Sequence, residues 1–191
     1  MFVRQRIGSM IAAVVLAVPA FAADSYTMDS AHCIPEFEFT HLGMTTQTGR
    51  FDKVRGKIVL NRAAQAGSIY FEVETASLNM GFGTETPNSP GYLLLQVMKF
   101  PTITFKSDKL FFDNGNNVIA AEGQLTLLGV TRPLTVWVSH FKCSVNPMNR
   151  KTMCAANVTA TVERSEFGMR KFIPTISDAV KVSVPVEAYK D

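Results

Sequence analysis

From residue 34 onward apolar and polar side chains alternate with a period of two, and no long stretch repeats at the helical period. The alternation predicts strands over residues 34–42, 50–60, 68–78, 102–112, 118–128, 134–143, 154–163 and 179–188, with "SYTMD" at 25–29 as a further short one. One parity of each is apolar: Phe37 and Phe39; Ile58 and Leu60; Ile69, Phe71 and Val73; Ile103 and Phe105; Val158, Ala160 and Val162; Val180, Val182, Val184 and Val186. The other parity carries Glu36, Glu38, Glu72, Glu74, Lys106 and Lys181, so every strand has a dry face and a wet one, as antiparallel sheets do. The plainest case is "GQLTLLGVTRPLTVWV", residues 123–138: two such runs joined by a turn, with Leu125, Leu127, Leu134, Val136 and Val138 on one face.

The segment 79–99, "NMGFGTETPNSPGYLLLQVMK", breaks the pattern. It begins rich in Gly and Pro, then offers residues 92–98 for about two turns of helix, with Ser89 as cap and Pro90 at the first helical position. A helix that short cannot cover eight dry faces, so the sheet must cover itself, as a sandwich or as a barrel. Closure removes edge strands, whereas an open sandwich protects them with devices such as Pro35. A barrel of about eight strands is just wide enough inside for side chains or for one slender ligand.

The amino terminus changes where this domain is expected to work. "MFVRQRIGSMIAAVVLAVPAFA" has Arg4 and Arg6, an apolar run over residues 7–18 and Ala20-Phe21-Ala22, the layout of a secretory signal cleaved after Ala22. Residues 23–191 then form one domain, and the expected destination is a bacterial periplasm. Removing Arg4 and Arg6 from the 19 Lys and Arg leaves 17 against 16 Asp and Glu, with no basic block longer than two residues. A nucleic-acid partner needs clustered positive charge and is not expected. Export permits disulfides. Cys143 and Cys154 flank the polar "SVNPMNRKTM", where a bridge across a hairpin is geometrically easy and two free thiols are the alternative. Cys33 is left over, either a small buried side chain or a reactive thiol.

Taken together, "MDSAHCIPEFEFTHLG", "GRFDKVRGKIVL", "FPTITFKS", "GQLTLLGVTRPLTVWV" and "ERSEFGM" followed by "ISDAVKVSVPVEA" resemble, in collinear order, the YceI-like family of lipocalin-like periplasmic proteins associated with polyisoprenoid binding. The resemblance implies an all-β fold: an extended eight-stranded antiparallel barrel with a short helical segment near one mouth and a long apolar channel. It implies an isoprenoid lipid or quinone as ligand, no bound cofactor, and a disulfide between Cys143 and Cys154 like that of one variant within the family. The channel wall would comprise Phe37, Phe39, His41, Phe71, Val73, Phe105, Leu125, Leu127, Val136, Val138, Arg164, Val182 and Val184. Where the family commonly has a stretch similar to Arg-Asp-x-His-Leu-Arg followed by Ser-Pro-Asp-Phe-Phe, this chain reads "GTETPNSPGYLLLQVMKFP". Tyr92, Leu93, Leu94 and Met98 in that segment are read as an apolar lid. Met44, Met80 and Met98 are candidates to adapt to a flexible tail.

Two polar residues share the inward parity. His41 follows Phe37 and Phe39, and its imidazole suits a hydrogen bond to a quinone carbonyl or to backbone. Arg164 follows Val158, Ala160 and Val162, and a charge inside a barrel needs a partner, either Asp178 or a ligand phosphate. No metal site is expected: His32 adjoins Cys33, but there is no Cys-x-x-Cys-His or His-x-x-x-His, and His140 is remote. No Gly-x-Ser-x-Gly elbow or phosphate-cradling loop marks an enzyme, and Ser165 and Ser177 have no histidine nearby in sequence. The expected protein is a monomeric or homodimeric carrier. Its rivals are a quinone-linked redox accessory to a membrane cytochrome of the b type, a structural β-sandwich with a filled interior, and a lipid-modifying enzyme.

Overall fold

The computed structural model describes residues 22–81, 86 and 88–191, so the expected cleavage after Ala22 turns on a segment that lies almost wholly outside the described residues. The last strand, β11 (Ala179–Lys190), is the seam of the fold. On one side it pairs along its length with β10 (Thr152–Glu163), from Val180 opposite Val162 to Tyr189 opposite Met153. On the other side its first half pairs with β2 (Glu36–His41), Val182 facing Phe37, and its last residues pair with β1 (Asp24–Met28), Tyr189 facing Thr27.

From β1 the sheet continues through β4 (Val54–Asn61), β5 (Ala66–Glu74), β7 (Thr102–Phe112), β8 (Val118–Leu127) and β9 (Val130–Val145) back to β10, every pairing antiparallel. Eight strands thus close on themselves. β3 (Thr45–Phe51) and the two-residue β6 (Leu78–Asn79) extend the β2 side of the seam. The open sandwich is therefore not the architecture, and closure satisfies the edges that a sandwich would have exposed.

The single strand predicted over 50–60 is in fact two. Phe51 ends β3 and Val54 begins β4, and both are buried although they differ in parity. Inward positions are odd in β3 and even in β4, where Gly56 and Leu60 follow Val54, so the chain must turn at Asp52-Lys53. The Asp52 and Lys53 amides donate to the Ser77 carbonyl and Ser77 Oγ, each at 3.0 Å, which holds that corner. The predicted strand 68–78 likewise stops at Glu74. A 3-10 turn over Thr75–Ser77 follows, anchored by the buried Thr75, whose hydroxyl donates to the Phe100 carbonyl at 2.8 Å.

Strand 102–112 forms as predicted. The β8–β9 hairpin turns on Leu128 and Gly129, with φ of +52° and +73°, the left-handed pair that two-residue hairpins require. The helix, α1 (Pro90–Leu95), starts two residues before the predicted 92–98 and ends where Gln96 turns left-handed at φ +46°. Proline stands at its first position, but Ser89 makes no side-chain cap bond.

Cys143 and Cys154 are direct partners across β9 and β10 and form a disulfide, with Cα atoms 4.0 Å apart. Cys33 is a free, fully buried thiol; its Sγ lies 3.2 Å from both the backbone oxygen and the backbone nitrogen of Glu187, and burial pushes its pKa up.

The barrel interior as candidate binding site

The inward parities of the eight barrel strands and β2 converge on one cavity of about 790 Å³. It runs from Cys154 and Ala188, at the disulfide end, to His41 and Ile176 at the other. Its wall is built almost wholly of apolar side chains because each strand presents alternate residues inward. A cavity of this volume is several times larger than packing voids in protein cores, which rarely exceed a water molecule.

All thirteen wall residues predicted from the sequence line this space. Phe37, Phe39 and His41 come from β2, Phe71 and Val73 from β5, and Phe105 from β7. Leu125 and Leu127 come from β8, Val136 and Val138 from β9, Val182 and Val184 from β11, and Arg164 from the turn after β10. Phe37 fits because Gly49 opposite it has no side chain; a Cβ there would lie 2.5 Å from the Phe37 ring.

The lid is built differently from the prediction. Of Tyr92, Leu93, Leu94 and Met98, only Leu94 lines the cavity, joined by the unpredicted Gly91 and Leu95. Leu93 and Met98 are exposed, and the Tyr92 hydroxyl donates instead to the Ala76 carbonyl. The reason is local: in so short a helix only one face meets the barrel, and residues three and four apart share it, as Gly91, Leu94 and Leu95 do. Of the three methionine candidates, Met80 reaches the cavity while Met44 and Met98 face solvent.

Arg164 is only 3% exposed, and its charge is not paired as predicted. Its guanidinium donates to four backbone carbonyls: Ser177 at 2.9 Å, Met169 at 2.8 Å, Lys171 at 3.0 Å and Ile176 at 2.9 Å. Burial lowers its pKa while the nearby Asp178 opposes that effect. Asp178 itself accepts from the Ser165 hydroxyl and amide at 2.5 and 2.7 Å, and these bonds hold its carboxyl below the usual range. With its donors committed to the loop, Arg164 serves as a clasp beside the cavity, and the alternative of a ligand phosphate as its partner loses its basis.

His41 and Ser89, both on the cavity wall, have no such commitment. The half-buried His41 ring makes no hydrogen bond among the described residues, and Ser89 Oγ is buried without a partner. Both lie at the end bounded by α1 and the β2–β3 turn.

Outside the barrel, His32 does not meet Cys33, whose side chain is buried. Its Nδ1 lies 2.9 Å from Asp29 Oδ2, which raises the His32 pKa and lowers that of Asp29. With Glu187 these two bring possible metal-binding atoms within 4.8 Å of one another, on the exterior and away from the cavity. Of the two serines singled out in the sequence, Ser165 is tied to Asp178, and the Ser177 hydroxyl donates to the Ala179 carbonyl at 2.8 Å.

Comparison with known proteins agrees with this architecture. The family model described as the YceI-like domain matches residues 26–188. A UPF0312 protein of Vibrio cholerae is 29% identical over 163 residues, 83% of this chain and 85% of the relative. One from Shewanella baltica is 27% identical over 190 residues, 98% of each chain. Among solved structures, Burkholderia cenocepacia BcnA superposes with a TM-score of 0.67 at 20% identity, covering 84% of this chain and 98% of its own. A polyisoprenoid binding domain from Saccharophagus degradans superposes with a TM-score of 0.57 at 15% identity, covering 87% and 98%.

Proposed function

The chain belongs to the YceI-like family, and from that premise we propose that it is a periplasmic carrier that encloses one isoprenoid lipid or isoprenoid quinone in its barrel. The observation that carries this reading is the continuous apolar cavity of about 790 Å³. Burying an apolar chain there yields roughly 25 cal/mol per Å² removed from water, so a long unbranched-width tail gains affinity with every unit it inserts. The elongated shape suits a slender tail better than a compact ring system. The polyisoprenoid-binding neighbour shares the fold and supports the same class of ligand.

The head of the ligand belongs at the His41 and Ser89 end. A ring nitrogen and a hydroxyl without protein partners can bond a quinone carbonyl or a terminal hydroxyl, whereas the opposite end offers Cys154 as a closed disulfide and Ala188. An interior that is mainly apolar surface, with His41 and Ser89 at one end, supports binding as the role of the cavity. The disulfide supports an oxidising compartment, as does the export signal expected from the sequence of residues 1–22.

The test is to purify the protein without detergent from cells that express the full sequence, denature it, and identify the released lipids by mass spectrometry. One prenylated lipid per chain supports the carrier; folded protein that releases none overturns it.

A further inference from the structure

The cavity end at His41 is capped by two segments that carry exposed apolar side chains. Backbone bonds stitch them together: the Leu42 amide donates to the Thr175 carbonyl at 2.7 Å, and the Ser177 amide to the Thr40 carbonyl at 2.9 Å, with His41 and Ile176 bridged between. On this tip Leu42 is 54% exposed, Met44 76%, Phe172 47% and Ile173 36%. Such a cluster in water is unfavourable and marks an interaction site.

Two of the four are held in a conformation that glycine would occupy more easily. Leu42 and Phe172 have φ of +56° and +67°, a region that costs an L-residue about a kcal/mol. At both positions the chain carries a large apolar side chain, turned outward, instead of glycine.

Within the two segments that form the tip the charge has one sign. Residues 40–49 and 168–177 contain no Asp or Glu and hold Arg170 and Lys171. Neither cation forms a salt bridge among the described residues, and Lys171 Nζ lies 4.9 Å from the centre of the Phe172 ring. Of the acids next in sequence, Glu38 is paired with Lys181, Asp52 with Arg50 and Asn79, and Asp178 with Ser165, while the exposed Glu166 forms no salt bridge among the described residues.

We propose that this tip docks on the surface of an anionic lipid bilayer, with Leu42, Met44, Phe172 and Ile173 inserted among the headgroups and Arg170 and Lys171 against lipid phosphates. Apolar side chains ringed by cations are what an interfacial anchor requires. The tip is continuous with the cavity through His41 and Ile176, so docking sets the cavity end against the membrane from which an apolar ligand would be taken. In its purpose the inference rests on the carrier reading, but its test does not.

The experiment is co-sedimentation with vesicles of phosphatidylcholine alone or mixed with phosphatidylglycerol. It uses the chain expressed in full and three variants, all checked for native circular dichroism. The wild type is expected to bind the mixed vesicles and to bind pure phosphatidylcholine much less. Arg170→Glu with Lys171→Glu should weaken binding about thirtyfold or more, since each cation contributes about a factor of five. Met44→Asp with Phe172→Asp should weaken it at least about tenfold. Met148→Asp should change nothing: Met148 is 93% exposed, but it lies in the β9–β10 hairpin at the opposite end of the barrel.

A wild type that ignores both vesicles, or a Met148→Asp loss equal to that of the tip variants, overturns the proposal. So does a dimer in sedimentation velocity that Met44→Asp with Phe172→Asp dissociates while vesicle binding stays absent. Lipid extraction from the same samples separates the two readings: lipid-loaded protein that ignores vesicles leaves the carrier standing and removes the docking, and lipid-free protein that binds them does the reverse.

Discussion

Arg164 and Asp178 meet through the backbone, not through a direct ion pair. The Arg164 amide donates to the Asp178 carbonyl at 3.1 Å, while the guanidinium turns to four carbonyls of the following loop and the carboxylate turns to Ser165. The pair therefore ties the end of β10 to the start of β11 with each charge satisfied by a different neighbour, and each can be removed separately.

Replacing Arg164 by Leu leaves the carbonyls of Met169, Lys171, Ile176 and Ser177 without this donor in a buried site. The expected loss is about 3–5 kcal/mol, read as a lower urea midpoint. Arg164→Lys should recover only part of it, because a single ammonium lacks the planar fork that reaches four acceptors.

Asp178 makes stability depend on acid. Its folded pKa lies below the ordinary 3.8, so its contribution is complete above that value and is lost as pH falls from there through the folded value. Urea midpoints of wild type and Asp178→Asn should differ at pH 7 and converge as the solution is acidified below the ordinary carboxylate range. A constant gap would mean that the charge contributes nothing.

The disulfide closes a short loop, with Cys143 and Cys154 separated by 11 positions. Chain-entropy arguments assign it about 3 kcal/mol. Cys143→Ser with Cys154→Ser should unfold earlier by that amount yet keep its ligand, since the hairpin lies at the end away from His41.

Cys33 is expected to be inert. Fully buried, with its thiol pKa raised, it should not react with a water-soluble disulfide reagent in the native state and should react once per chain in urea. Rapid native labelling would show that the segment before β2 opens.

The wall of the cavity was legible in the sequence because period two fixes which side chains point inward, whatever the strands pair with. Phe37, Phe105, Val136 and Val184 are on the wall for that reason alone. Two kinds of feature were not legible in this way. Strand breaks depended on parity changes such as Phe51 to Val54, a signal that was present but is masked when both residues are simply counted as apolar. The lid depended on which face of a helix of six residues meets the barrel, and a segment that short does not set its own orientation. The partners of Arg164 are backbone carbonyls, which carry no signature in sequence.

The central claim is that the cavity holds an apolar ligand, and Ala160→Phe addresses it directly. Ala160 lines the cavity from β10 opposite Val182, so a phenyl ring there occupies ligand space while adding buried apolar area to the fold. Native mass spectrometry of wild type and Ala160→Phe, purified side by side without detergent, reads the bound mass on each chain. One lipid adduct on the wild type, missing from a variant at least as resistant to urea, is the predicted result; bare wild type, or an adduct retained undiminished by Ala160→Phe, would contradict it.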